Sequence, residues 1–140
     1  MSLIQAMFDA FAQLPQKVIM KLDDISNKPE LKVPKNVLLK YFLPQQDILA
    51  HKNLRLFITH CGMHGVLESI YYGVPMVGMP VFIDQGDVLR RMLDEGIGVG
   101  VDKQATGDEL YDAIVEVRDN DKYKKNIDKL SAVFKDKRLF

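Results

Sequence analysis

Apolar residues recur at helical spacing from the start of the chain: Leu3, Met7, Ala10, Phe11 and Leu14 share one face, and Pro15 ends the run. The period then changes. Val18 to Met20 is a short apolar run, followed by a polar stretch from Asp23 to Glu30 whose Asn27, Pro29 and Pro34 mark a loop. Val37 to Phe42 predicts a strand, Pro44 suits the first turn of a helix continuing through Gln45 to Ala50, and Leu54 to Thr59 returns to strand. A glycine-punctuated loop, Cys61-Gly62-Met63-His64-Gly65, leads into a helix from Val66 to Tyr72 that Gly73 stops. Pro75 to Val81 is apolar throughout. A helix over Gly86 to Leu93, a strand over Gly98 to Val101, a helix opened by the capping box Thr106-Gly107-Asp108-Glu109 and a last helix over Tyr123 to Phe134 complete the pattern.

Helices that alternate with short, almost purely apolar strands call for a parallel sheet covered on both faces. The fold class is therefore α/β, a three-layer domain. No repeat, low-complexity tract or linker divides it. With 140 residues, 47% hydrophobic and 27% charged, the chain buries roughly two-thirds of its unfolded surface and needs no staple. Cys61 is its only cysteine, so no intrachain disulfide forms.

Nineteen basic against nineteen acidic residues leave no surplus charge, which disfavours a protein held mainly by nucleic-acid phosphates or anionic lipid. No apolar run reaches the roughly 18 residues of a membrane helix, and the first residues lack a basic n-region and a cleavage site.

Ligands of open parallel sheets bind beyond the carboxyl ends of the strands. Three polar segments stand there: Phe42-Leu43-Pro44-Gln45, Thr59 to Glu68, and Asp84-Gln85. Gly62 and Gly65 let backbone approach a ligand, and the helix they open offers unpaired N–H groups and a positive dipole end to a phosphate. His60 adds a donor. Glu68, four residues after His64 on the same helix face, is placed to accept both hydroxyls of a ribose. Phosphate and ribose imply a nucleotide; the plain alternative is a glycine-rich turn with a satisfied histidine and a solvated glutamate. The loop is not the dinucleotide fingerprint. Phe42 is either core or a stacking surface for a base whose edge Gln45 reads. Asp84 and Gln85 suit sugar hydroxyls, or an N-cap and its neighbour.

A zinc reading of His60, Cys61 and His64 is disfavoured by the intervening glycine and the absence of a second cysteine. Cys61 is a small apolar filler more readily than a nucleophile, although a helix N-terminus would lower its pKa.

Taken together, Phe42-Leu43-Pro44-Gln45, Gln46-Asp47-Ile48-Leu49-Ala50-His51, Phe57-Ile58-Thr59-His60-Cys61-Gly62, Glu68, Gly73-Val74-Pro75-Met76, Pro80 and Asp84-Gln85 closely resemble the signature of the UDP-glycosyltransferases. The resemblance runs from Ala10 to Lys135 and is nearer to the membrane-associated animal UDP-glucuronosyl- and UDP-glucosyltransferases than to the soluble plant enzymes. It implies the Rossmann-like C-terminal half of a GT-B glycosyltransferase, with a UDP-sugar as co-substrate and no metal. Carried over by position, Phe42 stacks on uracil where relatives have tryptophan, and Gln45 meets the base edge. His60 contacts the diphosphate, and Gly62, His64 and Gly65 line the same loop. Glu68 holds the ribose, and Asp84 with Gln85 holds the sugar. Lys21 is a looser candidate for a charge near the ligand.

The chain departs from the family at three positions. Cys61 replaces a glycine, which either narrows the phosphate pocket or demands another backbone angle. Val88 replaces a polar asparagine, and Phe42 offers a smaller stacking face. The catalytic histidine and its aspartate lie, by resemblance, in an N-terminal half that also binds a small lipophilic acceptor. The expectation is a domain that binds a UDP-sugar and transfers nothing by itself. A non-catalytic nucleotide-binding or interaction module on the same fold is the alternative, and self-association stays open. Lys122 to Arg138 carries seven basic residues against Asp128 and Asp136, with Ile127, Leu130 and Phe134 as an apolar stripe. This is a solvated face over core, or a stretch near a membrane surface, since relatives continue toward an anchor and are lumenal in the endoplasmic reticulum.

Overall fold

The computed structural model describes residues 3–21, 31–80 and 85–136. In chain order the elements are α1 (Leu3–Ala12), β1 (Val18–Lys21), β2 (Val37–Lys40), α2 (Gln45–Leu49), β3 (Phe57–Thr59), α3 (Met63–Tyr72), β4 (Met76–Gly78), α4 (Gln85–Glu95), β5 (Gly98–Gly100), α5 (Gly107–Asp119) and α6 (Asp121–Asp136). Every strand pair is parallel, as the alternation of helices and strands predicts. The strands form two sheets, β1-β2 and β3-β4-β5, where the sequence pattern suggests one. Val18 stands opposite Val37, Phe57 opposite Met76, and Met76 opposite Gly98.

The two sheets differ in what covers them. Along β4 all three residues are buried: Val77 packs into a cluster with Phe8 and Phe11 of α1 and Leu110 and Ile114 of α5. Met76 packs into a second cluster with Val66 and Ile70 of α3, Met92 of α4 and Ile127 of α6. Helices therefore lie on both faces of β3-β4-β5. In β1-β2 the inward residues Val18, Met20, Val37 and Leu39 join the first cluster. The paired outward residues Ile19 and Leu38 are 49% and 52% exposed. Burial on both faces holds for β4 and fails here, where each strand alternates.

Element ends explain the remaining differences from the sequence pattern. β2 stops at Lys40, so Tyr41 and Phe42 lie past the strand. β3 occupies only Phe57–Thr59 of the predicted Leu54 to Thr59, and β4 only Met76–Gly78 of Pro75 to Val81. Pro44 is the N-cap of α2 and lies just outside its first turn. Gly73 ends α3 in the left-handed region at φ 71°, as predicted. The capping box at Thr106 is complete: its hydroxyl accepts from Glu109 N–H, and the Glu109 carboxylate accepts from Thr106 N–H.

The last helix fastens two others. Lys124 Nζ donates to Gly73 O at 2.8 Å, Ser131 Oγ to Tyr71 O at 2.7 Å, and Asn126 Nδ2 to Gly96 O at 2.9 Å. The carbonyls at the ends of α3 and α4 are thereby paired, while Ile127, Leu130 and Phe134 pack into the second cluster. The stripe covers core and the lysines face water. Among the described residues no helix is long and apolar enough to cross a membrane.

Candidate functional site

The carboxyl ends of β2 and β3 open onto the first turns of α2 and α3, and the sequence-predicted residues gather there. On the α2 side, Phe42 is 76% exposed. It lines an open cleft of about 380 Å3 with Leu43, Pro44, Gln45, Gln46, Asp47 and Glu68. Gln45 Nε2 donates to Glu68 Oε1 at 3.0 Å, which ties α2 to α3. His64 Nε2 lies 3.7 Å from the same oxygen, one helical turn back along α3. The Glu68 side chain is 14% exposed and that of His64 is 89% exposed. Among the described residues Glu68 Oε2 makes no hydrogen bond. A nearly covered carboxylate thus keeps one oxygen for a hydroxyl donor beside an uncovered aromatic ring.

A second grouping forms where β3 meets α4. His60 Nδ1 accepts from Gln85 Nε2 at 2.8 Å, which leaves the ring proton on Nε2 and makes that nitrogen a donor. Gln85, expected on the sugar, here orients the histidine. Gly62 is needed for the same ring, because a Cβ at that position would lie 2.6 Å from His60 Cε1. Gly65 differs. A Cβ there would stand 3.6 Å from Gln45 Nε2 and 3.7 Å from Phe57, ordinary contacts that a side chain tolerates. Asp84 lies outside the described residues.

α3 begins at Met63, earlier than its apolar pattern suggests, so His64 and Gly65 are its first-turn residues and not loop. Its N-cap is Gly62, with φ −70° and no side-chain cap, and its first turn carries no acid. The first N–H groups of α3 therefore meet no capping side chain and present the positive end of the dipole.

Cys61 resolves one alternative. Its φ of 69° is left-handed, a conformation that a glycine adopts freely and other residues adopt at a cost of roughly 1–2 kcal/mol. Two contacts hold it: Cys61 N–H donates to Thr59 Oγ1 at 3.1 Å, and Sγ fills the space over Gly78, where a Cβ would approach it to 2.7 Å. The side chain is fully buried in the second cluster, so the substitution changes the backbone cost and does not narrow the cleft. Burial pushes the thiol up to about 11, so it carries no thiolate near neutrality. Val88 likewise packs against that cluster. Among the described residues no group of three or more histidine, cysteine or acidic side chains is placed to hold a metal ion.

Sequence reasoning passed over Gln46 and Asp47 as cleft residues. Their signal is positional, since both sit in the first turn of α2 immediately after Gln45.

The family model of the UDP-glucoronosyl and UDP-glucosyl transferases matches residues 3–139. The chain belongs to this family. Its relatives include UDP-glucuronosyltransferase 2B7 of Homo sapiens, 42% identical over 89% of this chain and 23% of that protein. The 2-hydroxyacylsphingosine 1-beta-galactosyltransferase of Rattus norvegicus is 40% identical over 91% and 23%. The chain thus spans about a quarter of the length of the curated transferases it matches. Among solved structures, the glycosyltransferase of kitacinnamycin superposes with a TM-score of 0.84 at 27% identity, over 95% of this chain and 35% of that one. Os79 of O. sativa, in complex with UDP and deoxynivalenol-3-glucoside, gives 0.83 at 28% identity, over 92% and 33%. The α/β, Rossmann-like fold of this family member is that of the GT-B glycosyltransferases.

Proposed function

We propose that these 140 residues are the donor-binding domain of a UDP-glycosyltransferase. They hold a UDP-sugar for inverting transfer of a hexose, glucose or glucuronic acid, to a small lipophilic acceptor. The observation that carries this reading is Glu68: a carboxylate 14% exposed, with Oε1 engaged by Gln45 and Oε2 open to the cleft that Phe42 walls. A ribose places two adjacent hydroxyls within reach of one carboxylate when the base stacks alongside. Phe42 takes the uracil face, Gln45 turns from Glu68 to the base edge, and the N–H groups of α3 with His60 Nε2–H take the diphosphate. His64 and the backbone at Gly62 and Gly65 line that diphosphate. Asp84 reaches the sugar hydroxyls, and Gln85 shares that task with holding His60.

The chemistry follows from where charge grows. As the acceptor oxygen attacks the anomeric carbon and inverts it, the bond to UDP breaks and negative charge builds on the diphosphate. Donors fixed on that group before the reaction stabilise the transition state more than the ground state. No group in the cleft is placed as the base for an acceptor hydroxyl, and that base is proposed in a separate N-terminal domain of the parent. For the parent, the lumenal side of the endoplasmic reticulum membrane is proposed. The second reading, a nucleotide-binding module without transfer, draws support from Val88, whose packing into the core removes a polar contact from α4.

Calorimetric titration of the purified chain with UDP, UDP-glucose and UDP-glucuronic acid tests this, with Glu68→Ala and His60→Ala alongside. Saturable binding that both substitutions weaken by roughly tenfold or more supports the donor domain. Absence of binding at millimolar UDP, or binding that neither substitution affects, overturns it.

A further inference from the structure

The two sheets end on edges that face no other strand. Hydrogen bonds fix which side is open. Val18 N–H donates to Asn36 O at 2.8 Å, on the β2 side. Successive residues of a strand turn their N–H and C=O groups to opposite neighbours, so Ile19 directs its pair away from β2. On β3, Phe57 N–H donates to Pro75 O, and Thr59 O accepts from Met79 N–H, both on the β4 side. The backbone pair of Ile58 therefore points to the other edge. Among the described residues neither Ile19 nor Ile58 has a backbone partner there. Ile58 is half-buried against the first cluster, where natural folds rarely leave an N–H and a C=O unpaired.

Strand order says what is absent. β2-β1 and β3-β4-β5 reproduce the doubly wound order 3-2-1-4-5-6 with its central strand left out. The space has a roof: Phe8 and Phe11 of α1 share a cluster with Val18 and Met20 of β1 and with Ile58 of β3. The sheets also stand at their full separation, because the superposition with a complete glycosyltransferase covers 95% of the chain at a TM-score of 0.84. Closing the slot would displace one sheet by a strand spacing of about 4.8 Å and spoil that overlap.

We propose that the slot between β1 and β3 receives one apolar, parallel β-strand from polypeptide outside residues 1–140, joined to α1 as a right-handed strand-α1-β1 unit. The strand is apolar on both sides, since the first cluster lies on one face and the second on the other. A second copy of the chain fits less well, because it offers only edges of strands already paired, and the slot is bounded on both sides. The carboxyl end of the inserted strand lies beside Thr59 and His60, so the segment leading to α1 completes one wall of the proposed donor site. That consequence rests on the functional reading; the slot itself does not.

Amide hydrogen exchange tests the proposal without any ligand. Ile19 and Ile58 are followed by NMR, with buried Val77 as internal reference, in the 140-residue chain and in the same chain extended by about five Val and Ile residues and a Gly-Ser loop into α1. In the unextended chain both amides exchange about 100-fold faster than Val77. The extension slows them by about tenfold or more, and a proline at its centre abolishes the slowing. Where the extension disturbs Val77, the same residues added as a free peptide give the readout. Protection of Ile58 in the unextended chain overturns the proposal, in favour of a second copy if it grows with concentration and of closure from within if it does not. Unchanged exchange with Val77 still protected overturns it as well.

Discussion

Two helices of this domain begin in opposite ways. α5 opens on Thr106, with both halves of a capping box made and with Asp108 and Glu109 in its first turn, so its free N–H groups and positive dipole end are met by the chain itself. α3 opens on Gly62, with no side-chain cap, no acid in the first turn, and a histidine at its second position. Capping adds about 1 kcal/mol to stability. A helix start that forgoes it, next to a covered carboxylate and an oriented imidazole, is reserved for an anion from outside. Fold stability sits at α5 and binding sits at α3.

The largest expected effect is at Glu68. Glu68→Ala lowers UDP affinity by roughly 10- to 100-fold, the range for hydrogen bonds to a charged group, while the melting temperature stays nearly unchanged because the residue lies at the cleft. Titration calorimetry and a thermal melt on the same sample read both. Thr106→Ala does the reverse: stability falls by about 1 kcal/mol, a melting shift of roughly 3 °C, and UDP affinity is unchanged. A smaller and sharper effect comes from giving α3 what α5 has. Met63→Glu places an acid in the first turn of α3, raising stability by about 0.3–1 kcal/mol and lowering UDP affinity by up to about fivefold. Gains in both quantities would break the comparison.

The smallest effect belongs to Cys61. Its thiol is held at about 11 by burial, above the value of 9.0 in an open environment. The native state keeps a proton that the unfolded state gives up, so this contribution is complete below pH 9 and is lost as pH rises from about 9 to about 11. Denaturant titrations across that range show a negative slope that Cys61→Ala removes. Tyr123, pushed to about 12 by burial and by its hydrogen bond to Glu116, adds a second decline above pH 10.

Much of this was legible in the sequence because local chemistry wrote it there. Gly73 after an apolar helical run, Thr106 three residues before Glu109, and the Pro15 stop each name an element end, and each end is found within about three residues. The pairing of Glu68 with His64 follows from four-residue spacing on one helix. What the pattern did not show depends on contacts far apart in the chain. The role of Gln85 as a partner of His60 joins positions 25 residues apart. The open face at Ile19 and Leu38 looks like core by composition and is exposed because nothing packs over it. The split into two sheets is a property of strand order, which periodicity does not encode. Cys61 was visible as a departure, yet only its φ of 69° shows that the backbone, and not the cleft, absorbs it.

The central claim is that the first turn of α3 takes the diphosphate of a UDP-sugar while the first turn of α5 is spoken for. Amide NMR during a UDP titration of the unmodified chain tests it in one experiment. The account predicts saturable shifts at Gly62, Met63, His64 and Gly65 that share one dissociation constant, with Gly107, Asp108 and Glu109 unmoved. Equal shifts at both helix starts, or none at α3 while UDP binds, would contradict it.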